Sequence, residues 1–457
     1  MSAVRGPNER KSRYLSVFLR HRRVGLLVAA LGFWPIFLVG CEEQLPVAIG
    51  DQALPGEPVT IEITVPWSDF ASNLEVFGGY GSPEDLGSGV LANQYEGTLD
   101  ARTLLRFRTY PSVVVAVDAT GASRPDSTLT YPSGRLVAYF DTIASTNAAP
   151  VTLALGATQV EWDATTTSWD YAIDTINDQR AWPEPGAGPV TAIGTAVWDP
   201  AAGDSAVFEL DSLQVAAWAD STDLTAGARL DIIESGSRLR IRGMALWIDA
   251  RPSSAPDTLI QVSAPTREMT FIYTPNPTPP PDGVRIGGAP SWRTVMDVSI
   301  PSVIDGYAEF CAVVSCPHTL TPVEISFAAL VLTSRMTDAA FQPSDSIRLD
   351  VRPVTDRSAM PKSPLGNSLI EELFGRPVPP DAFGSSPGVS IEIPFTAFSR
   401  DLLRGEDSKG NPAASTLALL SVLEPFSISF ASFDGPGSAS EPYLRLVLTI
   451  GPPVELP

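Results

Sequence analysis

Residues 59–65, Val-Thr-Ile-Glu-Ile-Thr-Val, alternate apolar and polar side chains along their whole length. Successive side chains of a strand point to opposite faces, so this period of two indicates a strand with one buried and one solvated face. The same alternation recurs in Leu104–Arg108, Val207–Leu210, Arg238–Arg242, Ser390–Ile393 and Leu444–Ile450. Turn-forming stretches such as Phe77–Gly81, Asp199–Gly203 and Asp434–Gly437 separate these segments. The pattern predicts an all-β chain of antiparallel strands.

The composition points the same way. The chain has 457 residues with 43 prolines and 35 glycines, which is high for a helical protein. Two short helices are predicted. One spans Ser368–Gly375, with Asn367 or Ser368 as its N-cap, and the other spans Phe398–Arg404.

A proline-rich segment, residues 274–283, divides the chain. Because proline lacks the amide donor of a strand ladder, this segment is predicted to be an extended linker. The parts on either side, residues 57–273 and 284–451, each have the size of a β-sandwich of the jelly-roll type, and residues 452–457 form a tail.

The two halves resemble each other in sequence. Ser127–Phe140 aligns without gaps on His318–Val331, and Val207–Leu210 parallels Ser390–Ile393 further along. We interpret this order as an internal duplication. The alternative, that any two β-sandwiches share this much pattern, stays open.

The N-terminus has the pattern of an export signal. Four basic residues, Arg20-His21-Arg22-Arg23, precede an apolar run from Val24 to Val39. A basic region followed by a short apolar region is typical of a secretory signal, and a plain signal anchor is the alternative.

The end of the apolar run, Leu38-Val39-Gly40-Cys41, resembles the lipobox of bacterial lipoproteins. The resemblance implies that residues 1–40 are cleaved, that Cys41 carries a lipid, and that residues 41–56 form a tether from the membrane. Glu42 stands where the enteric inner-membrane signal has Asp, which implies the outer membrane.

Charge excludes one class of partner. The chain has a net charge of −21, and residues 1–40 hold seven of its 31 bases and one of its 52 acids. The remainder therefore has 24 bases and 51 acids, a net charge of −27. A surface this acidic repels a phosphate backbone, so nucleic-acid binding is not expected.

The residue types of common active sites are scarce. His318 is the only histidine after residue 21, so most histidine-dependent catalytic and zinc sites are not expected. No phosphate-binding glycine loop occurs. We therefore predict no catalytic residue, no metal site and no cofactor. A structural calcium ion near Asp199–Asp204 and a pair of carboxylates for glycan hydrolysis remain open alternatives.

Cys311 and Cys316 form a pair once Cys41 is set aside. Two nearby cysteines in an oxidising compartment usually join, so a structural disulfide is predicted, with a redox role as the alternative.

The order of several motifs resembles the DNRLRE-type bacterial jelly rolls, some of which are grouped with carbohydrate-binding modules. The motifs are Thr103–Phe107 running into Pro111, Arg135–Phe140, Phe327–Leu332, the pair Trp162 and Trp169, and Val215–Trp218. The second half departs from the pattern, since Pro353 falls where a tryptophan is expected. The resemblance implies glycan binding in the first half.

Aromatic faces stack on sugar rings, so Trp162, Trp169 and Trp182 are the candidate ligand-binding residues, with Trp182 expected in an exposed loop. A role in the core is the alternative for each. The sequence thus predicts a lipid-anchored, non-catalytic envelope protein that binds a glycan or surface polymer. The alternatives are a structural or adhesion component that binds another protein, and a glycan-active hydrolase or lyase.

Overall fold

A computed structural model of the chain describes residues 58–117, 120–147, 149–278, 281–370, 372–424 and 427–451. Within these ranges the chain is mainly antiparallel strand arranged in sandwich-like sheets, which confirms the predicted all-β fold class. The predicted signal segment 1–40, the tether with Cys41 and the tail 452–457 lie outside the described residues.

The strands up to residue 274 are β1 (Val59–Pro66), β2 (Ala71–Tyr80), β3 (Gly89–Tyr95), β4 (Leu99–Phe107), β5 (Val114–Val117), β6 (Ser123–Asp126), β7 (Leu129–Phe140), β8 (Val151–Ala157), β9 (Tyr171–Asp174), β10 (Gln179–Ala181), β11 (Thr191–Trp198), β12 (Ser205–Asp211), β13 (Ala228–Ile232), β14 (Ser237–Pro252) and β15 (Ile260–Thr274).

The later strands are β16 (Gly283–Gly287), β17 (Ser291–Val298), β18 (Val303–Ile304), β19 (His318–Thr319), β20 (Ile325–Arg335), β21 (Ile347–Pro353), β22 (Arg376–Val378), β23 (Ser390–Pro394), β24 (Thr416–Ser421), β25 (Phe430–Asp434) and β26 (Tyr443–Ile450).

Helices are short and few. The α-helices are α1 (Trp67–Phe70), α2 (Ser212–Ala217), α3 (Ala308–Cys311) and α4 (Thr396–Arg404), and the 3-10 turns are Pro83–Leu86, Pro322–Glu324, Ala339–Phe341, Arg357–Ala359 and Pro380–Phe383. None of the helices in the described ranges is long and apolar enough to cross a membrane. The helix predicted at 398–404 is confirmed by α4.

The helix predicted at Ser368–Gly375 is wrong, since the described residues there form bends and turns. The Ser368 hydroxyl donates to the Asp350 carboxylate at 2.6 Å instead of capping a helix. The Leu369 amide donates to the Val351 carbonyl at 2.9 Å, which holds the stretch beside β21.

The first sandwich is built from one nine-stranded sheet in the order β11-β8-β13-β4-β15-β14-β7-β12, with β3 against β4 and β14. Its two end strands, β11 and β12, contact each other, so the sheet curls around its own core. The core side chains include Leu105, Phe140, Leu153, Phe208 and Leu246, all at most 3% exposed.

The second sandwich is an eleven-stranded arrangement in the order β1-β26-β20-β25-β16-β17-β24-β21-β22, with β2 on β17 and β23 on β20. Its core contains Phe70, Ile286, Leu330, Val351 and Phe433, each at most 1% exposed.

One predicted boundary is wrong: the strands of residues 59–80 belong to the second sandwich, not the first. β1 pairs with β26 from Val59 opposite Ile450 to Pro66 opposite Tyr443, and β2 pairs with β17. Alternation fixes which face of a strand is buried but does not identify its partner. Residues Val59–Ile450 accordingly form one compact unit.

A third apolar cluster joins the two sandwiches. Tyr273 of β15 packs edge-on against Phe341 at 6.2 Å between ring centroids, and Phe341 stacks on Phe430 at 5.4 Å. The Arg238 guanidinium of β14 donates to the carbonyl oxygens of Ala340 and Gln342, each at 3.2 Å. The described residues of the proline-rich segment lie between the end of β15 and the start of β16.

Strands matched by the sequence repeat have corresponding partners. In the first half β7 pairs with β12, and in the second half β20 pairs with β23. This correspondence supports the predicted duplication, which stays a prediction.

Candidate functional site

The three candidate tryptophans lie in the insertion between β8 and β11. Trp162 and Trp182 are only 2% and 5% exposed, and Trp169 is half-buried. They form a small separate core with Leu104 of β4 and Ile272 of β15. The expectation that Trp182 is exposed is therefore wrong.

The indole N–H of Trp182 also has a hydrogen-bond partner: Nε1 donates to the Ser168 carbonyl at 3.0 Å. The loop has the Pro and Gly content of a surface turn. It nevertheless folds back on the sheet, because burying a large aromatic surface is favourable.

Arginines of β4 cover the other two rings. The Arg106 guanidinium lies 3.9 Å from the Trp162 ring centroid, and that of Arg102 lies 4.8 Å from Trp169. Such contacts are attractive cation–π pairs. The insertion is thus fastened to the sheet, and its tryptophans form no exposed platform for a sugar.

An acidic pocket of about 280 Å³ lies beside Trp162. Its lining includes Glu84, Glu161, Asp163 and Glu268, together with Arg106 and Arg267.

The pKa values of two carboxyl groups in this acidic pocket are shifted in opposite directions. Burial, and then the charges of Asp85, Glu268 and Asp163, raise the pKa of Glu84. Burial opposes ionisation of Asp163 as well, but hydrogen bonds from Thr165 and Thr166 outweigh it and lower the pKa of that carboxyl.

Other groups of the acidic pocket have structural partners. Glu268 accepts from Arg106 at 2.6 Å. Asp163 accepts from the Thr165 amide at 2.8 Å and from the Thr165 hydroxyl at 2.6 Å, which shapes the local turn.

Cys311 and Cys316 are joined by a disulfide, with their Cα atoms 5.4 Å apart. The one grouping of potential metal ligands in the described ranges is Asp305 with these two cysteines. The disulfide removes both thiolates as ligands. His318, next to this loop, lies with its Nε2 3.1 Å from Glu324 Oε1, so its ring is held by a carboxylate.

The carboxylates at Asp199–Asp204 have partners of their own. The Asp199 carboxylate accepts from the Ala201 amide at 2.9 Å, and Asp204 forms an ion pair with Arg242. These contacts describe a turn and an ion pair.

A second recess opens where the two sandwiches meet, with a volume of about 140 Å³. This inter-sandwich recess is lined by Arg240 of β14, Gly287, Gly288, residues 343–348, Ser421, Leu423, Ser427 and Ser429. Hydroxyl and guanidinium groups dominate the polar part of this lining.

The alternation of side chains along β14 places Arg240 in the recess. Leu239 and Ile241 are fully buried in the first core, so Arg238 and Arg240 project from the opposite face. Arg238 reaches the second sandwich, and Arg240, two residues further, lines the recess.

Gly287 and Gly288 lie where β16 ends and the turn to β17 begins. Gly287 and Gly288 have φ values of 90° and 92°, in the region that favours glycine. A Cβ at Gly288 would lie 3.1 Å from a carbon of the Trp292 ring, so the backbone here approaches the aromatic closely.

The sequence predicted one strand of this recess, Arg238–Arg242 of β14, but not the recess itself. The alternating Arg238–Arg242 segment was the available signal. Nothing in the sequence indicates that segment 343–348, which runs into the start of β21, meets that strand, because the contact depends on how the sandwiches pack.

No protein-family model matches the chain, and no curated protein matches it. Among solved structures, the Macrobrachium rosenbergii nodavirus structure is 10% identical over 84% of this chain and 91% of that chain, with a TM-score of 0.11. The Streptococcus agalactiae AgI/II polypeptide BspA C-terminal domain is 8% identical over 74% of this chain and 90% of that chain, with a TM-score of 0.09. Scores this low carry no argument about fold or function.

Proposed function

We propose that the chain is a lipid-anchored, non-catalytic protein of the cell envelope that binds a glycan or other surface polymer in the inter-sandwich recess. The observation that supports this proposal is the set of residues that line the recess. Five serines, Ser344, Ser346, Ser421, Ser427 and Ser429, surround it together with two arginines. Serine hydroxyls both donate and accept, as the hydroxyls of a sugar do.

Size limits what the recess holds. Pockets for whole small-molecule ligands are roughly 300–1,000 Å³. A recess of about 140 Å³ therefore suits one end group or one side group of a polymer. The polymer itself would lie outside, across the two sandwiches.

Blocking the recess tests the proposal. The full chain in detergent is passed over immobilised polysaccharides, beside the variants Ser346→Trp and Ser385→Trp. Ser346 lines the recess and is exposed, whereas Ser385 is exposed and does not line it. We expect Ser346→Trp to abolish retention and Ser385→Trp to leave it unchanged. Equal retention of all three proteins would contradict the site, and no retention of the native chain would contradict the function.

The membrane anchor rests on the sequence motif alone, since Cys41 lies outside the described residues. Cys41→Ser is expected to move the chain from the membrane fraction to the soluble fraction. Incorporation of labelled palmitate into the native chain but not the variant would support lipidation. Unchanged membrane retention of the variant would contradict it.

Binding to another protein is the second candidate, and hairpin β5–β6 favours it. Val115 and Val117 are 66% and 58% exposed, and within the described ranges β5 pairs with β6 alone. An apolar strand with an unpaired edge is a template for a strand of another chain.

Introducing positive charges on β5 tests whether this strand binds another protein. The double variant Val115→Lys, Val117→Lys should reduce adhesion to protein-coated surfaces if β5 is the docking strand. Val303→Lys is the control, because Val303 is 49% exposed on β18, which pairs with β19. Loss of polysaccharide retention in the double variant would instead assign the glycan site to this hairpin.

Glycan cleavage is favoured only by the acidic pocket. There the pKa of Glu84 is raised and that of Asp163 is lowered, as the acid and the ionised carboxylate of a glycosidase require. We expect no reducing ends to be released from any retained polysaccharide. Release that Glu84→Gln abolishes would replace binding with hydrolysis.

A further inference from the structure

We infer that the inter-sandwich recess binds an anionic group of an acidic polymer, a carboxylate or a sulfate ester. The inference rests on the proposed glycan-binding function and names the class of its ligand. Its basis is the charge of the recess, the arginines that line it and the hydroxyls around it.

The lining of the recess opposes the charge of the rest of the chain. Its charged residues are Arg240, Arg348 and Asp345, a net charge of +1. The chain after residue 40 has a net charge of −27. A local positive site in an acidic surface attracts anions over a short range, while the remainder of the surface repels them.

Arg348 is the guanidinium most available to a ligand. It is exposed, and among the described residues no ion pair or side-chain hydrogen bond involves it. Arg240 is half-buried, and its Nη1 lies 3.8 Å from Asp141. Burial lowers the pKa of Arg240, while the charges of Asp141 and Asp345 act in the opposite direction.

Arg285 is a buried positive charge on β16, the strand that ends at the glycine turn, and it does not line the recess. It precedes Gly287 by two residues, so both lie on the same face of β16. Arg285 is 5% exposed, and its Nε and Nη1 have no hydrogen-bond partner within the described part of the chain. Its guanidinium lies 4.1 Å from the Phe430 ring centroid and 5.4 Å from that of Trp292.

A buried guanidinium without a carboxylate partner is unfavourable on its own. The two aromatic rings offset part of this cost through cation–π attraction. The charge of Asp338 also acts on Arg285 and opposes the lowering of its pKa by burial. The charges that favour an anionic ligand are those of Arg240 and Arg348, which line the recess.

Two serines of the recess have hydroxyls available to such a ligand. Ser344 and Ser429 already donate, to the Ala144 and Gln342 carbonyls at 3.2 and 3.0 Å. Ser346 and Ser421 have no side-chain hydrogen bond within the described ranges. An arginine fork with neighbouring hydroxyl donors matches the oxygens of a carboxylate or a sulfate.

Paired polymers that differ only in charge test the inference. The full chain in detergent is titrated with polygalacturonate and with its methyl ester, and separately with dextran sulfate and dextran. Arg348→Gln removes one charge of the recess. Arg251→Gln is the matched control, because Arg251 is exposed on β14 and does not line the recess.

We expect binding of at least one charged polymer and much weaker binding of its neutral counterpart. Arg348→Gln should weaken that binding about tenfold, as the loss of one charge-assisted hydrogen bond does, and Arg251→Gln should not. Asp345→Asn should strengthen it. Which charged polymer binds tells whether the group is a carboxylate or a sulfate.

Three results would overturn the inference, and they differ from one another. Equal binding of charged and neutral polymers, unaffected by Arg348→Gln, would leave glycan binding standing and remove the anion. Equal weakening by Arg348→Gln and Arg251→Gln would show diffuse attraction without a site. Binding of none of the polymers, charged or neutral, would count against the proposed function as well.

Discussion

Val59 lies directly opposite Ile450 in the antiparallel ladder of β1 and β26, so the first and last strands of the described chain are neighbours. The second sandwich is therefore assembled from residues at both ends of the unit. The first sandwich is inserted between β2 and β16 in the chain. This arrangement makes the stability of the second half depend on residues that precede the first half.

Phe70, which follows β1, tests that dependence. Its side chain is fully buried in the second core and packs edge-on against Trp67 at 5.5 Å. Phe70→Ala should lower the free energy of unfolding by about 3–5 kcal/mol, because it leaves a cavity. Urea unfolding measures it, and Ile176→Ala, at a residue 96% exposed, should change it by less than about 0.5 kcal/mol. A small effect at Phe70 would contradict the assignment of residues 59–80 to this core.

Arg238 tests the junction between the sandwiches. Arg238→Ala removes the donor to the Ala340 and Gln342 carbonyls and uncovers the Tyr95 ring, which lies 4.8 Å from the guanidinium. We expect a loss of about 1–3 kcal/mol, since the buried Ala340 carbonyl loses its donor, while the Gln342 carbonyl keeps the Ser429 hydroxyl. In calorimetry the single transition expected of the native unit should broaden or split. An unchanged single transition would show that the apolar cluster alone holds the halves together.

The disulfide should stabilise its loop modestly. Cys311 and Cys316 are five residues apart, and so short a loop restricts the unfolded chain little. The double variant Cys311→Ser, Cys316→Ser should lose about 2 kcal/mol in denaturant unfolding. Adding a reductant to the native chain should give the same loss. A variant that fails to fold would show a larger role than loop closure provides.

Asp126 should contribute to stability in acid. Hydrogen bonds from Ser254, and from Thr128 and Ser253, lower the pKa of this carboxyl to about 2. Because the folded pKa lies below the unfolded value near 3.9, the contribution is present above that value and is lost as the pH falls through about 2. Asp126→Asn should flatten the fall of the unfolding midpoint between about pH 4 and pH 2. An unchanged slope would contradict the assigned pKa.

The fold class followed from local pattern because alternation is a property of each strand by itself. Val59–Val65 was predicted as a strand and is one, but its partner, β26, lies 377 residues further along the chain, from Pro66 to Tyr443. Strand pairing at such a separation depends on how whole sheets close. The same limit explains Trp182, whose loop sequence is that of a turn although the ring is covered by tertiary packing.

The candidate site was predicted least well, and for a physical reason. Aromatic content predicted Trp162 and Trp169 as ligand-binding residues, yet arginines of β4 cover both rings. Arg240 and Ser429 lie nearly two hundred residues apart in sequence and meet only at the junction of the sandwiches. Single-sequence patterns carry no information about that meeting.

Hydrogen–deuterium exchange of the full chain, with and without a saturating retained polysaccharide, distinguishes the candidate surfaces in one experiment. Binding in the inter-sandwich recess predicts slower exchange in residues 343–348 and in Ser421–Leu423 and Ser427–Ser429. It predicts no change in the tryptophan insertion between β8 and β11 or in hairpin β5–β6. Protection confined to the insertion or to the hairpin, with the recess unchanged, would contradict the account.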